Sequence, residues 1–255
     1  MGAPNITRTT ARPQPRLIIA GPAKVGKSTF GASMPNPIFV RTEDGTNGMD
    51  VDAFDVLSSF EQCIEQLKWI ATGQHQYQTI IIDALDGLER LIWAKVVEDH
   101  NAQQPQKPIT SIEEIGYAKG YIFALAHWQR LIGALTYLRN KGLAICLLCH
   151  THQRRVSPPD MEEFERYEPR IHHKTLGLLV EWADLIGFAQ LETRTKATES
   201  GKRQGVTTGR RMLHCSESAA YVAGNRYAIE ESLPLAWDAL SPLLGISITT
   251  ANNKE

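Results

Sequence analysis

Eight residues, Gly21-Pro22-Ala23-Lys24-Val25-Gly26-Lys27-Ser28, restrict the fold of this 255-residue chain more than any other stretch. They fit the pattern GxxxxGK followed by Ser or Thr, with the apolar run RLIIAG in front and a helix start behind. Glycines at these places let the backbone curl so that successive N–H groups point into one hollow, a shape that suits phosphate. Lys27 is placed to neutralise phosphate charge, Ser28 to offer its hydroxyl to Mg2+, and the helix behind them to add its positive dipole end. The residues expected to bind the cofactor are Gly21, Pro22, Ala23, Lys24, Val25, Gly26, Lys27, Ser28 and Thr29, and the expected cofactors are ATP and Mg2+.

Strand and helix signals alternate along the rest of the chain. RLIIAG (16–21), NPIFVRTE (36–43), YQTIIID (77–83) and LAICLLC (143–149) read as strands, and the last two are continuous apolar runs of the kind buried on both faces of a parallel sheet. FEQCIEQLKWIATG (60–73) and ALDGLERLIWAKVVEDH (84–100) read as helices, as does a long amphipathic pattern over about 112–140 that includes Ile122, Leu125, Leu131, Ile132, Leu135 and Leu138. The charged stretch 150–174, with two adjacent prolines, reads as a long functional loop. LGLLVEWADLIGFAQLE (176–192) passes from helix to strand, a polar loop at 196–209 leads to RRMLHCS in a hairpin, and LPLAWDALSPLL closes as a helix. The expectation is a three-layer α/β sandwich with a mostly parallel sheet and a C-terminal β-hairpin. It comprises a flexible arm at 1–15, one domain at 16–245 and a flexible tail at 246–255.

Further groups fall where such a sheet opens. Asp83 closes the strand TIIID and, with Ser28, is the expected metal ligand. Glu43 follows IFVRT and, at a strand C-terminus, reaches the same crevice as a water-activating base. His150 follows the next strand and is placed to hydrogen-bond a terminal phosphate. Asp86 is equally readable as support for this site or as a solvated helix turn. His150, His152, His172 and His173 also admit a zinc reading, weakened because no cysteine is aimed to join them.

Composition narrows the partners. With 27 basic and 28 acidic residues the net charge is -1, which excludes a uniformly basic nucleic-acid binder but not a local patch. No apolar run approaches the ~18 residues that cross a bilayer, so no membrane partner is expected. Four cysteines are too few for a disulfide scaffold, and a reduced, cytoplasmic setting is expected. In a strand, Cys146 and Cys149 point to opposite faces and cannot share a metal. Arg154, Arg155, Arg166, Arg170 and Lys174 are interleaved with Phe164 and Tyr167, a pattern suited to single-stranded nucleic acid, although acidic residues dilute it. Between Arg194 and Arg211 lie six basic residues (Arg194, Lys196, Lys202, Arg203, Arg210, Arg211) and one acid, Glu199.

GPAKVGKST, FVRTEDG, TIIID and LLCHTHQR, in that order, together with AGNRYAI (223–229), resemble the RecA-like ATPase core, and most closely the phage-encoded RecA-like proteins of single-strand annealing. The resemblance implies that Lys27, Ser28 and Asp83 bind Mg·ATP, that Glu43 activates water and that His150 senses the γ-phosphate. It further implies that the loop after His150 contacts DNA, with residues 101–115 as its partner. An arginine reaching into a neighbouring subunit would be Arg226, with Arg210 and Arg211 as reserves, in a homo-oligomer of unspecified form. The implied partners are single-stranded DNA and a single-strand DNA-binding protein, and the implied activity is ATP-dependent annealing with slow or assembly-dependent hydrolysis. A nucleotide-switched loader or regulator of a replication protein, and a small nucleotide or metabolite kinase, stand as alternatives.

Overall fold

Apolar residues at every position of a strand need cover on both faces, and the sheet of this protein is built to supply it. The computed structural model describes residues 12–159, 162–197, 203–230 and 232–245. In chain order the elements are β1 (Arg16–Gly21), α1 (Lys27–Ala32), β2 (Pro37–Arg41), β3 (Asp52–Ala53), α2 (Phe60–Thr72), β4 (Thr79–Asp83) and α3 (Leu85–Gln103). They continue with α4 (Lys119–Asn140), β5 (Ala144–Val156), β6 (Phe164–Pro169), α5 (His173–Trp182), β7 (Leu185–Ala197), β8 (Arg203–His214), β9 (Gly224–Asn225), β10 (Leu233–Pro234) and α6 (Trp237–Leu244). The strand order is β10-β8-β7-β1-β5-β4-β2-β3. From β7 to β3 every neighbouring pair is parallel, and β8 turns back antiparallel along β7.

Alternate residues divide into two cores. Ile18, Ile80, Ile82, Ile145, Leu147 and Ile186 face one side, where Phe60, Leu88, Trp128 and Leu179 of α2, α3, α4 and α5 cover them. Leu17, Ile19, Phe39, Ile81, Leu148 and Leu185 face the other, against Phe30 of α1 and Trp237, Leu240 and Leu244 of α6. The period-two alternation of a strand thus becomes a three-layer α/β sandwich. Cys149 lies in the first core and Cys146 in the second, both as buried free thiols, so the two cannot share a ligand. Among the described residues no helix is long and apolar enough to cross a membrane.

Four expectations change. The stretch after His150 is not a loop: β5 continues to Val156 and pairs antiparallel with β6, from Thr151↔Pro169 to Val156↔Phe164. Both faces of that ribbon are largely polar, so no apolar alternation advertised it. The β7–β8 hairpin is longer than expected, since β8 begins at Arg203 and the connection shrinks to 198–202, outside the described residues. The helix expected from about residue 112 opens as two 3-10 turns, Ile112–Glu114 and Gly116–Ala118, with positive φ at Tyr117 and Ala118, so α4 starts only at Lys119. Its buried face runs through Gly120, Ala124, Trp128, Leu131, Leu135 and Leu138, which leaves Ile122 exposed. The expected arm and tail fall almost wholly on residues 1–11 and 246–255, outside the described residues.

Candidate functional site

The phosphate loop joins the C-terminal end of β1 to α1. Gly26 begins the helix at φ 105°, in the left-handed region that side-chain-bearing residues avoid, and a Cβ there would also meet Arg211 Nη1 at 2.9 Å. Lys27 is buried, and its ammonium donates to the carbonyls of Gly21 and Pro22 at 3.0 Å each. Burial pulls its pKa down, while Asp83, Cys149, Asp86 and Glu43 act in the opposite sense. Ser28 Oγ donates to Asp83 Oδ2 at 2.6 Å. Burial raises the Asp83 carboxyl above its ordinary value, and the Ser28 hydroxyl opposes that shift.

Glu43 comes from the loop after β2, and its neighbour Thr42 fixes that loop. Thr42 N donates to Asp83 O at 2.8 Å; its hydroxyl donates to Ala84 O at 3.0 Å and accepts from Ala84 N at 2.9 Å. Arg41 holds the far side through Phe54 O (2.8 Å) and Thr46 Oγ1 (3.0 Å). A Cβ on Gly45 would lie 3.7 Å from Asp83 Oδ2 and 4.0 Å from both Glu43 Oε1 and Ser28 Oγ, so the three groups converge on one point. Gly87, in the first turns of α3, makes this approach possible: a Cβ there would stand 2.1 Å from Thr42 Oγ1. A Gly87→Ala variant is therefore expected to melt several degrees lower, since overpacking costs about 1–3 kcal/mol and each kcal/mol moves the Tm of a chain this size by roughly 2–4 °C. Calorimetry checks this, and the penalty should shrink in a Thr42→Ala background. An unchanged or raised Tm would show that the contact does not constrain the loop.

His150 pairs in register with Gly21 across β1 and β5, at the mouth of the phosphate loop. Its Nδ1 lies 3.1 Å and its backbone N 3.2 Å from Asp86 Oδ1, and its Nε2 lies 3.9 Å from Glu43 Oε1. Arg170 Nη2 donates to the other Asp86 oxygen. Burial alone would raise the Asp86 carboxyl, but the hydrogen bonds from His150 and Arg170 override it and hold the group well below the carboxylate range. An ionised carboxylate only accepts, so His150 donates to Asp86 from Nδ1, and its Nε2 is turned toward Glu43.

One α3 turn further on, Glu89 caps α5 from outside. Both its oxygens accept from His172 N at 3.0 Å. Burial pushes its carboxyl up to about 7, against hydrogen bonds from His172 and Thr175. A folded-state pKa above the unfolded value stabilises the fold fully below pH 4.5, and that contribution is lost as pH rises to about 7. Relative to the parent, Glu89→Gln should thus gain stability, on the order of 3 kcal/mol, between pH 4.5 and 8. Urea titrations of both proteins at pH 4.5 and 8 measure it. A difference that does not change with pH would remove Glu89 as the titrating group.

The structure brings Lys27, Ser28, Glu43, Asp83 and His150 together around an open cavity of about 300 Å3, and adds Arg211. Arg211 lies on β8, two strands from the phosphate loop, and its guanidinium packs over Gly26. No sequence spacing announces this, because the contact depends on β8 folding back along β7. Arg210 sits next to it, exposed, with its N–H on Thr208 Oγ1 at 3.3 Å. Arg226 does not join the site. It follows β9, whose Asn225 pairs with Leu185 at the start of β7, the opposite edge of the sheet from the phosphate loop. There it binds Asp184 Oδ1 (3.0 Å) and Glu181 O (2.6 Å), beside Arg16 and Arg139 on the same aspartate.

The cations expected to meet nucleic acid are largely engaged with the protein's own acids. Arg154 and Arg166 converge on buried Glu168 (3.3 and 2.6 Å), Arg155 meets Glu163 (3.3 Å), and Arg170 is held by Asp86. Lys174 is exposed in the first turn of α5. The side chains of Arg194, Lys196, Lys202 and Arg203 lie outside the described residues.

Ser28 Oγ and Asp83 Oδ2, with Glu43 near, are hard oxygen donors of the kind Mg2+ takes, and the loop backbone with Lys27 suits the phosphates it would bridge. A phosphate loop between β1 and α1, a strand-end Asp83 and a parallel sheet covered on both faces define a nucleotide-binding P-loop ATPase domain. Residues 14–227 match the AAA domain family AAA_24, and the chain belongs to that family. No curated protein matches the chain.

Proposed function

We propose that the protein is a RecA-like ATPase that binds single-stranded DNA under the control of Mg·ATP and anneals strands in phage recombination, inside the host cytoplasm. The observation that carries this reading is the convergence of Glu43, from the loop after β2, with Ser28 and Asp83, while His150 of the same site begins the exposed β5–β6 ribbon. The loop backbone and Lys27 bind and orient the phosphates. Ser28 and Asp83 would hold Mg2+, which would supply neutralisation of the charge that develops on the phosphates. Glu43 accepts the proton of the attacking water. His150 Nε2 faces the terminal phosphate, and Arg211 covers the loop from its own chain. Arg226, on the opposite sheet edge, suits a role toward a second copy in a head-to-tail homo-oligomer, where hydrolysis depends on assembly. A single-strand DNA-binding protein is a further proposed partner.

A second reading is favoured by one observation. The pairing of Arg154, Arg155 and Arg166 with Glu168 and Glu163 leaves less free positive charge on the ribbon than DNA alone would ask for, which suits a nucleotide-switched contact with a replication protein. Fluorescence anisotropy of labelled oligo-dT separates the two, with and without Mg·ATP, at two salt concentrations and against duplex DNA. The DNA reading expects salt-sensitive, ATP-modulated binding to the single strand. Absence of binding in every state refutes it and leaves the protein-partner reading.

A further inference from the structure

We infer that Asp86 is the positioning residue through which the nucleotide site sets the conformation of the β5–β6 ribbon; the inference rests on the site binding a nucleoside triphosphate. Asp86 stands in the first turn of α3, three residues past Asp83, and only 6% of its surface is exposed. Its carboxylate is shared by two groups from the two ends of one ribbon. His150 enters the ribbon and gives Asp86 its backbone N–H and Nδ1; Arg170 leaves the ribbon and gives it Nη2. The two donors are themselves joined, since Arg170 N donates to His150 O at 2.7 Å. The ribbon root is therefore a closed clamp of three residues, with one side facing the phosphates through His150 Nε2.

Beyond the root, the ribbon is a two-stranded antiparallel pair leaning on residues 220–222, where Tyr167 N donates to Ala220 O and Val222 N donates to Tyr167 O. A two-stranded ribbon is marginal on its own, so its setting is governed by what holds its root. A phosphate oxygen that accepts from His150 Nε2, with Nδ1 still donating to Asp86 so that both ring nitrogens act as donors, draws the ring, changes the share of Asp86 left to Arg170, and shifts the strand that ends next to Arg170. A ligand shifts such an element only by its differential affinity for the two settings, and the His150–Asp86–Arg170 clamp is where that difference arises. Arg170 then acts as the latch of the ribbon and not as a nucleic-acid contact. Neither partner was legible beside Asp86 in sequence, lying 64 and 84 residues away.

The test is hydrogen exchange of the backbone amides of residues 151–169 in the full chain with Mg·ATP and with Mg·ADP, read beside nucleotide affinity and melting temperature. The parent protein should exchange differently in the two states. Asp86→Asn, which keeps shape but weakens both bonds, should bind ATP within about threefold of the parent, lower kcat about tenfold at near-constant KM, and exchange identically in the two states. Arg170→Gln should abolish the difference and Arg170→Lys restore part of it. If Asp86→Asn does not fold, half-exposed Arg170→Gln gives the same reading alone. A parent protein with no nucleotide-dependent difference, or an Asp86→Asn or Arg170→Gln variant that keeps it, overturns the proposal. Exchange is read without DNA, so failure to bind oligo-dT would sink the annealing reading and leave this one standing.

Discussion

Glu43→Gln is expected to bind ATP as tightly as the parent chain and to hydrolyse it at least ~10²-fold more slowly, the usual size of a lost general base. The expectation rests on what the neighbouring carboxylates are already doing. Asp83 accepts from Ser28 at 2.6 Å and is nearly enclosed, which suits it to the metal side of the proposed site. Asp86 is held by His150 and Arg170. Glu43 alone of the three is substantially exposed to the cavity, while its Oε1 shares the point near Gly45 with Asp83 and Ser28. Glutamine keeps the length and the hydrogen-bonding capacity but cannot take a proton from water. Binding should survive because, on the proposed reading, the loop backbone and Lys27 would hold the phosphates, not Glu43. Single-turnover hydrolysis with a parallel nucleotide-binding titration separates the two effects. Undiminished turnover would move the base elsewhere, and a joint loss of binding and rate would make Glu43 a structural member of the loop.

The parts of this site that could be read from sequence are those whose geometry is written over a few consecutive residues. The phosphate loop needs only its own glycines, Lys27 and Ser28, and Asp83 needs only the apolar strand in front of it. Arg226 shows the opposite case. AGNRYAI resembles an element that reaches a neighbour's nucleotide, yet its place within the chain is decided by the Asn225↔Leu185 register and the pull of Asp184, neither visible in a heptapeptide. Arg211 was one of several basic residues in a polar stretch until β8 folded back and set it over Gly26. The β5–β6 ribbon escaped for a physical reason as well. A strand declares itself by burying alternate side chains, and this ribbon buries few, being held by backbone pairing and by cations matched to its own acids. The same matching altered the reading of function, because positive charge counted along a sequence takes no account of the carboxylate that folding places opposite it.

Lys27→Ala carries the other large expected effect, a fall in affinity for ATP of roughly 30-fold to more than 10³-fold, as follows from the 2–5 kcal/mol cost of removing one partner of a buried charge pair. Lys27 is 5% exposed, so its charge acts where water does not screen it. The ammonium donates to the Gly21 and Pro22 carbonyls, and burial lowers its pKa, so a phosphate beside it would give relief from the cost of burying the charge. The alanine variant removes that relief together with the charge. Stability moves in a direction that distinguishes this account from a packing role. Removing a desolvated cation with only two carbonyl partners should leave the Tm within a few degrees, whereas loss of a packed side chain would lower it in step with affinity. Lys27→Met, which restores the buried length without the charge, completes the comparison: it should match the parent in Tm and Lys27→Ala in nucleotide affinity. A Lys27→Met protein that binds ATP like the parent would show that the buried charge at position 27 does not hold the phosphates.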